Sequence, residues 1–248
     1  MKRAFVAAVA RVHPESGLSI SVEQKATCAK FLLQFHDARR PIEHRGKIFT
    51  TNYDLLLLWV VASSRALKCY DDFVAEPGNR DYRPWDPDKV PDLIFLHGAL
   101  HMYRHEGRLM VLRYKEGARL VDQIRERLSR DEFPLMVAEG NSQRKSSRMR
   151  DNPYLSKSRA AFRGALNDAS SVLLTVGHCL GEVDRHLLEV IGSRKLAAVY
   201  VGAFGGLQSG DGGRAMAWAG EWSSQRARAG RPQLNVAVYD SRTCLVWR

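Results

Sequence analysis

The chain has 248 residues, of which 45% are hydrophobic and 26% charged, and its formal net charge is +11. These values are typical of one large globular domain and exclude wholesale disorder, and no apolar run reaches the roughly 20 residues that a membrane-spanning helix needs. The four cysteines form no CxxC pair and no zinc-type spacing, which favours a reducing compartment, so we expect a cytoplasmic protein.

The first half of the chain alternates apolar segments with loop signals. The predicted elements are, in chain order, helices at about 2–12 and 22–37, a short buried strand at 47–51, a largely apolar helix at 55–67, a surface loop at 76–91, and a second buried strand at 92–96. The loop is predicted because this segment holds four prolines and one glycine.

The second half continues the alternation. The predicted elements are a hairpin at 101–114, a charged helix at about 117–130, a strand at 133–138, a helix after Ser142, a further helix that begins at Pro153, strands at 172–176, 196–201 and 234–239, and helices at about 182–192 and 211–229 between those strands.

Strands that alternate with helices and read as continuous apolar runs predict an α/β fold, with a mainly parallel sheet covered by helices on both faces. We expect a single domain over residues 1–248, in which 101–130 form either a small lid or a part of the main body. Ligands of such sheets bind beyond the carboxyl ends of the strands. The residues that follow the predicted strands are therefore the candidates for chemistry.

Asn52, Asp54 and His97 follow the first two predicted strands. Asn52 could cap the next helix through its side-chain oxygen, and Asp54 would favour the helix dipole, so both have a purely structural interpretation. His97 is suited to act as a general base in a crevice, or it is a hydrogen-bonded loop histidine.

Three histidines, His97, His101 and His105, are spaced by four residues, as metal ligands on a helix would be. Gly98 and the alternation after it argue against a helix here, so we expect no metal site. Further along, Gly177 and His178 end the fourth main strand, where glycine allows a ligand to approach the backbone closely.

Basic residues are concentrated in two places, which suggests binding of phosphate groups. The first group is Arg144, Lys145, Arg148 and Arg150, and the second is Arg214, Arg226, Arg228 and Arg231. A solvated helix face explains the same pattern, and no known nucleic-acid motif accompanies it. Nucleic acid is thus a partner that the sequence allows but does not favour.

Three short motifs occur in an order that resembles the sirtuin-like superfamily. Thr51-Asn52-Tyr53-Asp54 looks like the Gln-Asn-x-Asp segment of sirtuin-type proteins, and Leu96-His97-Gly98 is similar to their His-Gly motif. Gly177-His178 followed by Asp184 resembles their later Gly-x-Ser turn and downstream Asp. The segment from Ala138 to Leu155 is similar to one bacterial branch, and the resemblance spans roughly residues 20–247.

This resemblance implies a Rossmann-like domain that binds NAD as substrate or ligand, with no metal. It also implies hydrolysis of NAD, which in many bacterial relatives aborts phage infection. Asn52 and His97 would be catalytic, with Asn52 positioning the nicotinamide ribose or the attacking water and His97 acting as the base. The nucleotide contacts would come from further matched positions: Thr51, Asp54, Gly98, Gly177, His178 and Asp184.

The chain departs from the family pattern in three respects. No Gly-x-Gly-x-Ser turn precedes Asn52, Thr51 replaces the Gln of the deacetylases, and Cys179 stands where the later turn usually has Ser. The absent zinc cysteines argue against deacetylation. The alternatives are a start that lies upstream, a catalytically inactive module that binds a partner protein or another nucleotide, and a basic nucleic-acid-binding protein. The sequence also allows a homo-oligomer.

Overall fold

The computed structural model describes residues 4, 6–8, 11, 13–37, 39–41, 44–78, 82–113, 119–137, 141–244 and 246. The fold is α/β. The α-helices with defined bounds are α1 (Val22–Leu32), α2 (Leu56–Ser63), α3 (Leu120–Ser129), α4 (Ser142–Arg150), α5 (Pro153–Ala165), α6 (Arg185–Gly192) and α7 (Gly210–Arg228). The strands there are β1 (Ile48–Thr50), β2 (Tyr82–Pro84), β3 (Leu93–Phe95), β4 (Met102–His105), β5 (Arg108–Leu112), β6 (Val172–Thr175), β7 (Ala198–Ala203) and β8 (Asn235–Asp240).

The chain divides into two compact units. Unit 1 comprises Met1–Ala138, Asn152–Ser158 and Val246–Arg248, and unit 2 comprises Glu139–Asp151 and Arg159–Leu245. Within the described part of the chain, no helix is long and apolar enough to cross a membrane.

Unit 1 contains two small sheets. In one, β1 pairs with β3 in parallel, with Thr50 opposite Phe95. The other is antiparallel with the order β2-β5-β4. The predicted hairpin at 101–114 is confirmed: β4 and β5 are joined by Glu106 and Gly107, whose φ angles are 49° and 77°. Two consecutive positive φ values are those of a two-residue turn that matches the twist of a hairpin.

The core of unit 1 packs α3 against the antiparallel sheet. Val121, Ile124 and Leu128, at helical spacing on α3, are buried with Tyr103 and Leu112 of the sheet. On the helix surface, the Arg127 guanidinium lies 5.0 Å from the ring centroids of both Tyr82 and Tyr103. We therefore find 119–129 built into the body of unit 1.

Two predictions for unit 1 are wrong. The predicted strand at 133–137 is an irregular segment in which only Met136 forms an isolated bridge, to Gly98; Ala138 lies outside the described residues. Conversely, the predicted loop at 76–91 contains β2, which ends at Pro84 and pairs with β5. Because β2 is an edge strand, a proline without an N–H donor is tolerated there.

Unit 2 is built on a three-stranded parallel sheet in the order β6-β7-β8. Helix α6 connects β6 to β7, and α7 connects β7 to β8, as the alternation predicted. Gly202 is required within β7, because a Cβ there would lie 2.6 Å from the Tyr239 hydroxyl and 2.7 Å from the Thr175 carbonyl oxygen. Val199 and Val201 are buried on one face, whereas Tyr200 on the other is 45% exposed.

Most predicted helices are confirmed with shorter bounds. The helix predicted at 22–37 ends at Leu32 and begins with a capping box, in which Ser21 and Gln24 each bond the other's backbone N–H. Of the helix predicted at 2–12, residues 4, 6–8 and 11 are helical, and the others lie outside the described residues. Glu139 and Gly140 also lie outside them.

Candidate functional site

Asn52 and His97 occupy equivalent positions after adjacent parallel strands of unit 1. Thr50 pairs with Phe95, and each candidate follows two residues later. The segments stay joined beyond the strands, since Leu96 N–H donates to the Thr50 carbonyl at 2.9 Å and Leu100 N–H to the Tyr53 carbonyl at 2.9 Å. Both side chains therefore belong to the same carboxyl edge, where parallel sheets bind their ligands.

Asn52 does not cap the helix that follows it. Its backbone N–H donates to Thr50 Oγ1 at 3.1 Å, and its exposed side chain makes no hydrogen bond with the described residues. The residue before α2 is Leu55, whose N–H donates to His13 Nε2 at 2.9 Å. The purely structural interpretation of Asn52 as a helix cap is thus wrong, and its amide can bind a ligand.

Asp54 and Thr51 flank Asn52 and Tyr53. Asp54 Oδ1 accepts the Leu56 N–H at 3.0 Å, so this carboxylate does stabilise the first turn of α2. Its other oxygen leaves the carboxylate with further acceptor capacity. Thr51 is half-buried.

His97 is held in the turn that follows β3. The residue is only 1% exposed, and its ring is inclined by 29° to that of Tyr53, with the centroids 6.3 Å apart. The Tyr53 hydroxyl donates to the Val137 carbonyl at 2.8 Å, and the Val137 N–H donates to the His97 carbonyl at 2.9 Å. The segment that failed to form a strand thus anchors the Tyr53 hydroxyl and the His97 backbone.

The next residue, Gly98, is required by the geometry of this turn. Its φ is 77°, and a Cβ would lie 2.0 Å from the Leu135 carbonyl oxygen. Only glycine allows this close approach.

The three histidines spaced by four do not share a helix. His97 lies in a turn, His101 lies just before β4, and His105 ends β4. His101 is fully buried against Phe95, at 5.2 Å between ring centroids, and in the part of the chain that the structure describes neither ring nitrogen has a hydrogen-bond partner. Burial, with a smaller effect of the Arg83 charge, lowers the pKa of His101 to about 3.

The remaining predicted site residues, Gly177, His178 and Asp184, belong to unit 2. Gly177 follows β6 with a φ of 68°. His178 Nδ1 accepts the Leu180 N–H at 3.0 Å, so its proton lies on Nε2, which is 3.4 Å from Asp184 Oδ2. The structure therefore brings His178 and Asp184 together, as a pair oriented by the backbone.

Asp184 is the centre of an ion pair that the sequence did not reveal. Lys145 Nζ donates to Asp184 Oδ1 at 2.8 Å, and both residues are buried. Beside them, Ser142 Oγ accepts the His186 N–H at 2.8 Å and lies 3.1 Å from His186 Nδ1. Burial, as the largest cause, lowers the pKa of His186 to about 4, so its ring is neutral near pH 7.

The positions of these four residues in the sequence indicate two neighbouring pairs. Ser142 and Lys145 lie one turn apart on α4, and Asp184 and His186 are separated by one residue where α6 begins. The sequence places Lys145 in a group of basic residues that suggests binding of phosphate groups. Its buried position shows that it neutralises an internal carboxylate.

Two other basic residues of these groups, Arg226 and Arg214, also form contacts within the protein. Arg226 is buried and donates to the carbonyls of Arg194 and Leu196 at 2.8 and 2.7 Å. Arg214 forms an ion pair with Asp211. Arg226 and Lys145 are thus buried within unit 2, so the sequence concentrations overstate the number of charges that face solvent.

Residues 1–247 match the sequence pattern of one protein family, which is described as Domain of unknown function (DUF4917). A comparison with functionally curated proteins finds no match. Because the match extends over almost the whole length, the chain belongs to the DUF4917 family.

Proposed function

We propose that the protein binds NAD at the carboxyl edge of β1 and β3 and hydrolyses the bond between nicotinamide and ribose. The observation that carries the proposal is the equivalent placement of Asn52 and His97, two residues beyond the paired Thr50 and Phe95. The resemblance of these segments to sirtuin-like motifs supplies the substrate class. The parallel pairing in both units supports a Rossmann-like fold as a further part of the proposal.

The chemistry requires few groups. When the glycosidic C–N bond breaks, its electron pair leaves with nicotinamide and positive charge develops on the ribose. Water then adds to the ribose carbon and loses a proton, which gives ADP-ribose, nicotinamide and one proton. An oriented water and a nearby base are sufficient for this step.

The side chains at this edge are suited to those roles. The exposed amide of Asn52, which has no other partner among the described residues, would orient the water or a ribose hydroxyl. His97 would accept the proton, and the Tyr53 ring lies beside it. The acceptor capacity that remains on Asp54 would serve the ribose or the carboxamide.

Protein deacetylation is not part of the proposal. The resemblance would require Gln where Thr51 stands, together with four zinc cysteines. The described cysteines are free thiols, of which Cys28 and Cys69 are buried and Cys179 is exposed.

A second candidate is a catalytically inactive module that binds NAD or ADP-ribose. The burial of His97 favours it, because a base that is 1% exposed must become accessible before it can act on a substrate. Binding and turnover distinguish the two candidates.

The test is NAD consumption by the purified protein, with release of nicotinamide followed by chromatography. The Asn52→Ala variant should lower kcat by about 100-fold and retain the NAD affinity within a few fold, because the amide acts on the reacting atoms. Asn235→Ala is the matched control, since Asn235 is also exposed and lies in unit 2. Turnover by the wild type no faster than by Asn52→Ala would contradict hydrolysis, and NAD binding in calorimetry without turnover would establish the inactive module.

A further inference from the structure

Five arginines from different parts of the sequence form one group in unit 2. They are the arginine cluster: Arg150, Arg159, Arg163, Arg194 and Arg231. Arg194 and Arg231 follow the carboxyl ends of α6 and α7, the helices that lead into β7 and β8. These two therefore lie at the amino edge of the parallel sheet, opposite to the edge that carries Gly177.

Hydrogen bonds establish that members of the cluster are close together. Ser146 Oγ accepts from the guanidinium of Arg159 at 3.0 Å and from that of Arg150 at 3.4 Å. Arg194 and Arg231 are both tied to the same residue, because Arg226 donates to the Arg194 carbonyl at 2.8 Å and accepts the Arg231 N–H at 3.0 Å.

Arg163 connects these two pairs. Burial lowers the pKa of Arg159, and the like charges of Arg163 and Arg150 lower it further. Burial also lowers the pKa of Arg194, with added effects of Arg163 and Arg231. Arg163 also lies one helical turn after Arg159 on α5, and the Arg231 guanidinium donates to the carbonyl of Ser193, next to Arg194, so the five positive charges create one region of positive field.

This field has no internal counter-charge. Within the described part of the chain, no carboxylate forms an ion pair with a member of the cluster, whereas Arg185 on nearby α6 contacts both Glu182 and Glu189. The Nε atoms of Arg159 and Arg194 are buried and have no hydrogen-bond partner among the described residues. Holding like-charged guanidinium groups together, with unpaired N–H donors, costs free energy. A bound anion offsets that cost.

We propose that the arginine cluster binds the sugar–phosphate backbone of a nucleic acid. Guanidinium groups bond phosphate oxygens in a bidentate manner, and phosphate contacts supply most of the affinity of such complexes. Arg150, Arg163 and Arg231 are exposed and come from three separate elements, so a chain of phosphates can neutralise them together. The net charge of +11 attracts such a polyanion from a distance.

This cluster does not include any residue of the NAD proposal, so the two can fail independently. The experiment measures fluorescence anisotropy of labelled 20-mer single-stranded DNA, double-stranded DNA and RNA, each at a series of salt concentrations. The test variant is the double substitution Arg150→Gln with Arg163→Gln, two of the exposed members of the cluster. We expect binding about tenfold weaker near 0.1 M salt, with the salt slope reduced by about 2, since two phosphate contacts are lost.

The matched control is the double substitution Arg65→Gln with Arg104→Gln, which removes the same charge from exposed positions of unit 1. It should bind as the wild type does, and circular dichroism verifies the fold of both variants. No binding by the wild type, or equal loss in both double variants, would overturn the proposal. Calorimetric binding of tripolyphosphate without binding of any 20-mer would also overturn it, in favour of a small-anion site.

Discussion

Gly98 and Gly107 have the same φ of 77° but different surroundings. Substituting each by alanine therefore separates the cost of a side chain on left-handed backbone from the cost of a steric clash. A Cβ at Gly98 would lie 2.0 Å from the Leu135 carbonyl oxygen, whereas at Gly107 nothing lies within 4 Å. We predict that Gly107→Ala lowers the free energy of unfolding by about 1 kcal/mol, the cost of left-handed backbone. Gly98→Ala should cost at least about 2 kcal/mol more, because Leu135 backbone must shift.

Urea denaturation measures both changes. Equal losses for the two variants would show that the turn at Gly98 relaxes freely. In that case Leu135 would not fix the position of the neighbouring His97.

The candidate site was partly predictable because strand ends are visible in sequence. Asn52 and His97 each follow an apolar run, and the rule for parallel sheets places such residues at one edge. Whether Asn52 or Asp54 bonds the first turn of the next helix could not be decided, because both side chains can accept a backbone N–H and only the coordinates show that Asp54 does so. The helical spacing of Ser142 and Lys145 indicates a shared face of α4, but it does not identify the partner Asp184, which lies 39 residues after Lys145.

At the scale of elements, one arginine closes the carboxyl end of α7. Arg226 is 3% exposed and donates to the carbonyls of Pro232, Arg194 and Leu196. We predict that Arg226→Met lowers the free energy of unfolding by about 3 kcal/mol, since buried carbonyl groups lose a charged donor. Chemical denaturation of Arg228→Met, an exposed position on the same helix, should show a change within about 0.5 kcal/mol. Similar small effects in both variants would mean that water replaces the guanidinium.

The elements that sequence patterns missed have clear physical reasons. Residues 133–137 are apolar, but Pro134 has no N–H, and the segment bonds Met102 and His97 individually in place of a ladder. Strand β2 was not predicted because Pro84 and its neighbours are typical of a loop. The proline is tolerated because β2 lies at the edge of the sheet. The βαβ alternation of unit 2 was predictable since each apolar run there is followed by a well-marked helix.

At the scale of the whole molecule, each unit buries a histidine whose pKa lies below the ordinary value of 6.5. His101 in unit 1 has a pKa of about 3, and His186 in unit 2 a pKa of about 4, in both cases chiefly because of burial. Below pH 6.5 the unfolded chain binds protons that the folded chain does not. Stability is therefore complete above that pH and declines as the pH falls towards 4.

We predict a loss of about 2 kcal/mol per histidine between pH 7 and pH 5, from urea midpoints at several pH values. His186→Asn should remove its share of this pH dependence, and the exposed His44→Asn should leave the dependence as in the wild type. A stability that is flat over this interval would contradict the burial of both rings.

The order of the chain has a consequence for biosynthesis. Phe95 of unit 1 donates its N–H to the hydroxyl of Tyr154, which also packs against Phe73 and Trp85. Tyr154 belongs to unit 1, but it is synthesised after residues 139–151, which are part of unit 2. The core of unit 1 is therefore incomplete until residues 152–158 have left the ribosome. The hydrophobic surface that Tyr154 covers stays exposed on the nascent chain until then.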